Sequence, residues 1–195
     1  KIYKKSLEAY QVIYDMLGTS NKLEVKGESF YGKYIDDVKK ILEDNNAIET
    51  KDGRVIISLE GLRQMTYIKS EEKGLGYTYD TTDVVAIWYR LLIEHADEIY
   101  YTVDNGQSEH FEQLFSIAKK IGWLTKDKIA KHVNFGVILG DDGKKLKSRD
   151  GDAPRLTELV EKSIEKTKKY YTEKQSAQQG AVYDENTIEA IAIGS

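Results

Sequence analysis

The sequence of 195 residues contains no cysteine, which excludes disulfides and thiolate metal sites at once. Its three histidines, His95, His110 and His132, show no ligand spacing, so a metal centre is not expected. No apolar run approaches the length that spans a bilayer, and the first residues carry no signal-peptide core. The expectation is a cytoplasmic protein with no membrane partner. A net charge of −4 provides no global field for nucleic acid; a polyanion would have to meet a local basic patch, and "KKLKSR", residues 144–149, has four cations in six positions. The hydrophobic share of 40% is ordinary for a globular protein and argues against disorder. The chain opens at Lys1 without methionine and stops at "AIAIGS", which reads as a piece of a longer protein.

What is present is periodic. Leu7, Tyr10, Ile13, Tyr14 and Leu17 share a helical face, with Gly18 as the stop. "KLEVK", residues 22–26, alternates as a short strand. Tyr34, Ile35, Val38, Ile41 and Leu42 mark a second helix, and "TKDGRVIIS" reads as two strands about an Asp52-Gly53 turn. Residues 1–60 therefore form a small helical unit closed by a hairpin. From residue 64 strand and helix alternate: "QMTYIK", a helix over 81–95, "EIYYTVD", a helix over 107–121, then "HVNFGVIL". That order predicts βαβ units on a mostly parallel sheet, an α/β fold. The helix over 107–121 carries Phe111, Leu114, Phe115, Ala118 and Ile121 on one stripe and ends at Gly122. The single proline, Pro154, precedes a helix from Arg155 to about Tyr171, and a last helix lies near 185–193.

In open α/β sheets ligands gather where strands end and helices begin. Three such stretches are chemically complementary: "GYTYDTTD" with acids and tyrosines, "DNGQSEH" with amide and imidazole, and "GDDGKKLKSR" with cations. A site that reads a cation with a carboxylate and phosphates with a basic loop needs this division. Each stretch also has a structural reading. Asp80, Thr81, Thr82 and Asp83 suit the capping of the following helix, and Thr81 or Thr82 is the expected cap. Gln107 and His110 suit the first turn of a surface helix, the charge run suits a solvated turn, and Trp88, Tyr100 and Tyr101 suit a core.

Together and in this order, "GESFY", "GYTYDTTD", "YTVDNGQSEHF", the Gly122-Trp123 pair, "FGVILGDDGKKLKSR" and "RLTELVEKS" resemble the second half of the class I catalytic domain of arginyl-tRNA synthetases, eukaryotic cytosolic type. The resemblance implies a Rossmann-like half-domain over residues 61–195, with residues 1–60 as a connective insertion. It implies that Tyr79, Asp83 and Gln107 contact the substrate L-arginine, with His110 bordering the pocket. A guanidinium presents five donors in a fork, which a carboxylate matches and an ammonium does not reproduce. Phe135, Gly136, Val137, Lys145 and Lys147 would meet ATP, with Lys147 and Arg149 stabilising the transition state; the lysine usual near the end of that signature is Arg149 here. Magnesium and tRNA(Arg) complete the implied partners. The family's other signature, His-x-Gly-His, is absent from these 195 residues. The implied partners therefore include the first half of the catalytic domain and an anticodon-binding domain. The fragment is expected to be inactive alone. A non-catalytic synthetase-like module that binds tRNA or a protein remains an alternative, as does an unrelated nucleotide-binding α/β protein.

Overall fold

A computed structural model describes residues 2–19, 22–69, 76–136, 156–177 and 184–194. The chain forms two compact units, residues 25–143 and residues 1–24 with 144–195. The division expected at residue 60 does not coincide with a break in packing. Tyr31, Ile35, Val38 and Leu42 lie in the same core as Val84, Val85 and Leu114, so the helical residues 28–44 bury their apolar faces against elements beyond residue 60.

In the unit of residues 25–143, a 3₁₀ turn (Glu28–Tyr34) leads into α2 (Ile35–Asp44). Strands β1 (Ile48–Lys51) and β2 (Arg54–Ile57) come next, paired antiparallel about Asp52 and Gly53. Both turn residues have positive φ, 49° and 68°, the geometry that matches the right-handed twist of a two-residue hairpin. β3 (Met65–Ile68) joins β2 antiparallel, not the parallel sheet expected of it. Only residues 58–64 separate the two strands, too few for a parallel crossover. α3 (Tyr79–Trp88) runs on through a π-helical turn, Tyr89–Ile93. It is the central helix: Val84, Val85, Ala86, Ile87 and Trp88 are all buried, so it shows no polar face along this stretch.

β4 (Glu98–Asp104) and β5 (Ile129–Phe135) pair in parallel from Glu98 opposite Ile129 to Asp104 opposite Phe135. Between them lie a short 3₁₀ turn, Asn105–Gln107, and α4 (Ser108–Ile121), which packs Phe111, Leu114, Ile117 and Ala118 inward. This is the expected βαβ unit. β5 begins three residues earlier than its apolar pattern suggested, and residues 137–139 lie outside the described stretch. Gly122 ends α4 at φ 87°, with its N–H on Lys119 O and the Trp123 N–H on Ala118 O. That turn drops the buried Trp123 into the core, which is the physical content of the Gly-Trp pair.

The second unit contains α1 (Ile2–Met16), α5 (Leu156–Ala177) and α6 (Glu185–Gly194). α5 runs beyond its expected end, and α6 packs on it through Ile188 and Ala192. Ser163 Oγ donates to Ala192 O at 3.0 Å, and Lys168 bridges Glu185 and Glu189. The strand expected at residues 22–26 does not form. Leu23 and Val25 are exposed there, so the alternation is not backed by burial of either face.

Gly122→Ala is expected to destabilise the protein by about 1–2 kcal/mol, because open space surrounds its Cα and only the left-handed backbone resists a side chain. Gly122→Asn should cost less. Urea unfolding followed by Trp123 fluorescence measures both, and an unchanged midpoint for Gly122→Ala would contradict this role.

Candidate active site

The site is built on the first turns of α3 and α4. Thr78, not Thr81 or Thr82, is the N-cap of α3, but Thr81 completes the cap. The Thr81 N–H donates to Thr78 Oγ1, and the Thr78 N–H donates to Thr81 Oγ1 at 3.0 Å. Thr81 is wholly buried, and its hydroxyl donates to Tyr67 O in β3. A buried hydroxyl without an acceptor would cost about 1–3 kcal/mol, so this bond fixes the start of α3 against the sheet. Tyr79, Asp80 and Asp83 are thereby placed on the side of α3 that faces α4.

His110, in the first turn of α4, stands between the two aspartates. Its Nε2 lies 2.8 Å from Asp83 Oδ2 and its Nδ1 3.3 Å from Asp80 Oδ1. Its side chain is only 12% exposed, so water screens these pairs weakly. Hydrogen bonds to Asp80 and then Asp83 push the imidazole up to about 9, against the opposing effect of partial burial. At neutral pH the ring is therefore an imidazolium donating from both nitrogens. It holds that charge near the positive end of α4, where a cation is disfavoured, so the two carboxylates outweigh the helix dipole.

The Asn-Gly-Gln turn before α4 is held from several sides. Asp104 Oδ1 accepts the Gly106 N–H at 2.9 Å, Ser108 Oγ donates to Asn105 O, and Asn134 in β5 donates to Asn105 Oδ1 at 2.9 Å. A Cβ at Gly106 would stand 2.9 Å from Asp104 Oδ1, so a side chain there would displace the folded-back carboxylate. Gln107 is presented from this turn.

Three clefts meet at Tyr79. One of about 400 Å³ is lined by Tyr79, Asp83, Arg90, Tyr101, Asp104, Gln107 and His110 among others. A second of about 400 Å³ lies beyond the wall made by Tyr79, Gln107 and His110, against Arg63, Gln64 and Gln113. A third of about 250 Å³ shares Tyr79, Asp83 and Arg90 and extends to Lys26 and Glu28. The Tyr79 ring is exposed and packs edge-on at 5.4 Å from the His110 ring. Tyr79, Asp83, Gln107 and His110, all expected from sequence, therefore come together.

Phe135 and Gly136 lie at the carboxyl end of β5, level with Asp104 on β4, and open space surrounds Gly136. Val137, Lys145, Lys147 and Arg149 lie outside the described residues. Of the aromatics expected inside, Trp88 and Tyr101 are buried, whereas Tyr100 is exposed and donates to Glu98 at 2.7 Å. Among the described residues no cluster of histidine and carboxylates is arranged to hold a metal; the Asp80, His110, Asp83 trio fails because each ring nitrogen already faces its own carboxylate.

Two residues of the site were not picked out by sequence. Asp80 read only as a helix-terminal acid, although its spacing of three from Asp83 puts both carboxylates on one helix face. Arg90 had no local signal. It sits in the π-helical turn with its guanidinium 5.5 Å from the Tyr31 ring centroid and 5.3 Å from that of Tyr101. Tyr101 Oη is buried without a hydrogen-bond partner in the described structure.

The family model described as "tRNA synthetases class I (R), catalytic domain" matches residues 1–195. The chain belongs to the class I arginyl-tRNA synthetase catalytic-domain family. It is 41% identical to a mouse cytoplasmic arginine–tRNA ligase over 172 residues, which are 87% of this chain and 25% of the relative. It is 40% identical to the ligase of Acanthamoeba polyphaga mimivirus over 164 residues, 84% of this chain and 27% of that one. A cyanobacterial ligase from Nostoc is 39% identical, so membership reaches the family and does not single out the eukaryotic cytosolic type. The crystal structure of the arginyl-tRNA synthetase of Plasmodium falciparum superposes with a TM-score of 0.75 at 26% identity, covering 97% of this chain and 31% of that one. The α/β fold is thus that of a class I synthetase catalytic core. The chain spans about a quarter to a third of the length of these relatives.

For a histidine whose folded pKa is raised from 6.5 to about 9, stabilisation is complete below about pH 6.5 and is lost as pH rises through about 9. The protein is expected to lose on the order of 3 kcal/mol across that window. His110→Gln should flatten this part of the stability–pH curve. Parallel curves for wild type and variant, measured by urea unfolding, would contradict the imidazolium assignment.

Proposed function

We propose that this chain is the arginine-reading part of an arginine–tRNA ligase, which activates L-arginine with ATP and transfers it to tRNA(Arg) in the cytoplasm. The observation that carries this reading is one cleft lined by Tyr79, Asp83 and Gln107, with the Asp83 carboxylate fixed by His110. Asp83 Oδ2 accepts from His110, and among the described residues Oδ1 has no partner. A guanidinium entering the cleft meets that oxygen, the Tyr79 ring or hydroxyl, and the Gln107 amide oxygen. Lysine offers no planar fork to this set, which supports discrimination between the two cationic substrates.

In activation, the arginine carboxylate attacks the α-phosphate of ATP and pyrophosphate leaves. The side chains of this chain supply positioning and charge for that step and no covalent intermediate. Lys145, Lys147 and Arg149 are proposed for the phosphates, with Lys147 and Arg149 countering the charge that develops. Phe135, Gly136 and Val137 are proposed for the adenine side. Magnesium would be carried in by the nucleotide, since the described residues offer it no ligand cluster of their own. Residues 1–60 are proposed as the connective insertion and 61–195 as the second half of the catalytic domain. The family's His-x-Gly-His half and its anticodon-binding domain would complete the enzyme. The cytoplasmic assignment rests on mammalian relatives that carry that word in their names, and no helix of the described residues is long and apolar enough to cross a membrane.

Asp83→Asn in the full-length protein is expected to lower kcat/KM for arginine in ATP–pyrophosphate exchange by at least about a hundredfold, the usual cost of removing one partner of a desolvated charge pair. A loss below about threefold would sink the assignment. The 195-residue chain alone is expected to charge no tRNA, and arginine-dependent charging by it would overturn the division of the site between two halves.

A further inference from the structure

Asp80 is a further constituent of the site, and its place there rests on the proposed arginine-binding role of the cleft. The aspartate lies one helical turn before Asp83, has a side chain 20% exposed, and points its Oδ1 at the ring nitrogen of His110 that Asp83 does not use. Helix capping does not account for it, because Thr78 and Thr81 satisfy the cap between them. Nor does an exposed ion pair, since the three side chains close on each other between α3 and α4. Asp80 lines the cleft on the far side of the Tyr79, Gln107 and His110 wall, so it stays away from the ligand while Asp83 faces it.

We infer that Asp80 is a positioning residue: by holding His110 Nδ1 it keeps Nε2 as a donor to Asp83 Oδ2, which fixes the carboxylate plane and reserves Oδ1 for the guanidinium. A neutral imidazole has one N–H. Between two carboxylates it must turn a lone pair toward one of them, and in the tautomer that keeps its proton on Nδ1, beside Asp80, the Nε2 lone pair faces Asp83 and moves it off its fixed plane. Displacement of about 1 Å at a positioned group costs on the order of a hundredfold in rate. The charged and titratable groups around His110 are Asp80, Asp83 and Tyr79 from α3, and Glu109 on its own helix, paired with Arg63. Asp104 and Tyr101 from β4 and Arg90 share the cleft, and His132 from β5 stacks behind Phe111. In the cleft itself Asp83 and Asp104 balance His110 and Arg90, and Asp80 behind the wall adds the one net negative charge that a guanidinium complements.

The test is ATP–pyrophosphate exchange by the full-length protein across about pH 6.5 to 9.5, comparing wild type with Asp80→Asn, His110→Gln and Asp83→Asn. Asp80→Asn should raise the arginine KM about tenfold at neutral pH with the ATP KM unchanged. The further rise of arginine KM with pH should begin at least about one pH unit lower than in wild type. His110→Gln, which donates an N–H without titrating, should lack that rise beyond what the substrate amino group contributes. An Asp80→Asn enzyme with wild-type arginine KM at every pH, or with arginine and ATP KM raised alike, overturns the inference. If Asp83→Asn also leaves arginine dependence intact, the arginine-binding reading falls with it; if Asp83→Asn abolishes that dependence, only the role of Asp80 falls.

Discussion

Asp80 and Asp83 stand one turn apart on α3, and the imidazolium of His110 between them lets two like charges face one narrow space. Without that proton the first turns of α3 and α4 would bring carboxylates together around a neutral ring, which low local dielectric penalises heavily. With it, the same groups become a cross-link between two helices and a fixed acceptor at the edge of a cleft. The arrangement is stable because each partner accounts for the other: the carboxylates hold the proton on His110, and the proton orders the carboxylates.

The rest of the unit serves to bring those helix ends together. α3 enters the core with its cap closed by Thr78 and Thr81, and the Thr81 hydroxyl ties that end to Tyr67 in β3. At the other end of the helix, Lys128 donates to Leu91 O and Ala96 O, satisfying carbonyls that the π-helical turn leaves over. α4 is aimed by the parallel β4 and β5 pair and by the Asp104 to Ser108 turn, and it is ended by Gly122. A slip at either helix would separate His110 from one aspartate.

Much of this was legible because it depends on local periodicity and local turn chemistry. The Asp52-Gly53 hairpin, the βαβ unit of β4, α4 and β5, and the stop at Gly122 arise from residues adjacent in sequence. The coming together of Tyr79, Asp83, Gln107 and His110 was reached through motif resemblance, since their separation in sequence hides it. What sequence left hidden depends on partners far along the chain. β3 looks alike whether it pairs in parallel or antiparallel, and the shortness of the 58–64 link decides it. "KLEVK" has the alternation of a strand, but its apolar residues Leu23 and Val25 stay exposed and it pairs with none of the described strands. Asp80 reads as a dipole-complementing acid until His110 arrives from 30 residues away, and Arg90 becomes part of the cleft only when Tyr31 and Tyr101 close around it.

The central claim is that His110 is an imidazolium clamped by two carboxylates at neutral pH. The most direct test is the pair of ring-nitrogen chemical shifts of His110, assigned by comparison with His110→Gln. Both nitrogens should carry protons at pH 7.5 and lose that signature only as pH approaches 9. A neutral tautomer at pH 7.5, with one nitrogen at the shift of an unprotonated imidazole, would contradict the account.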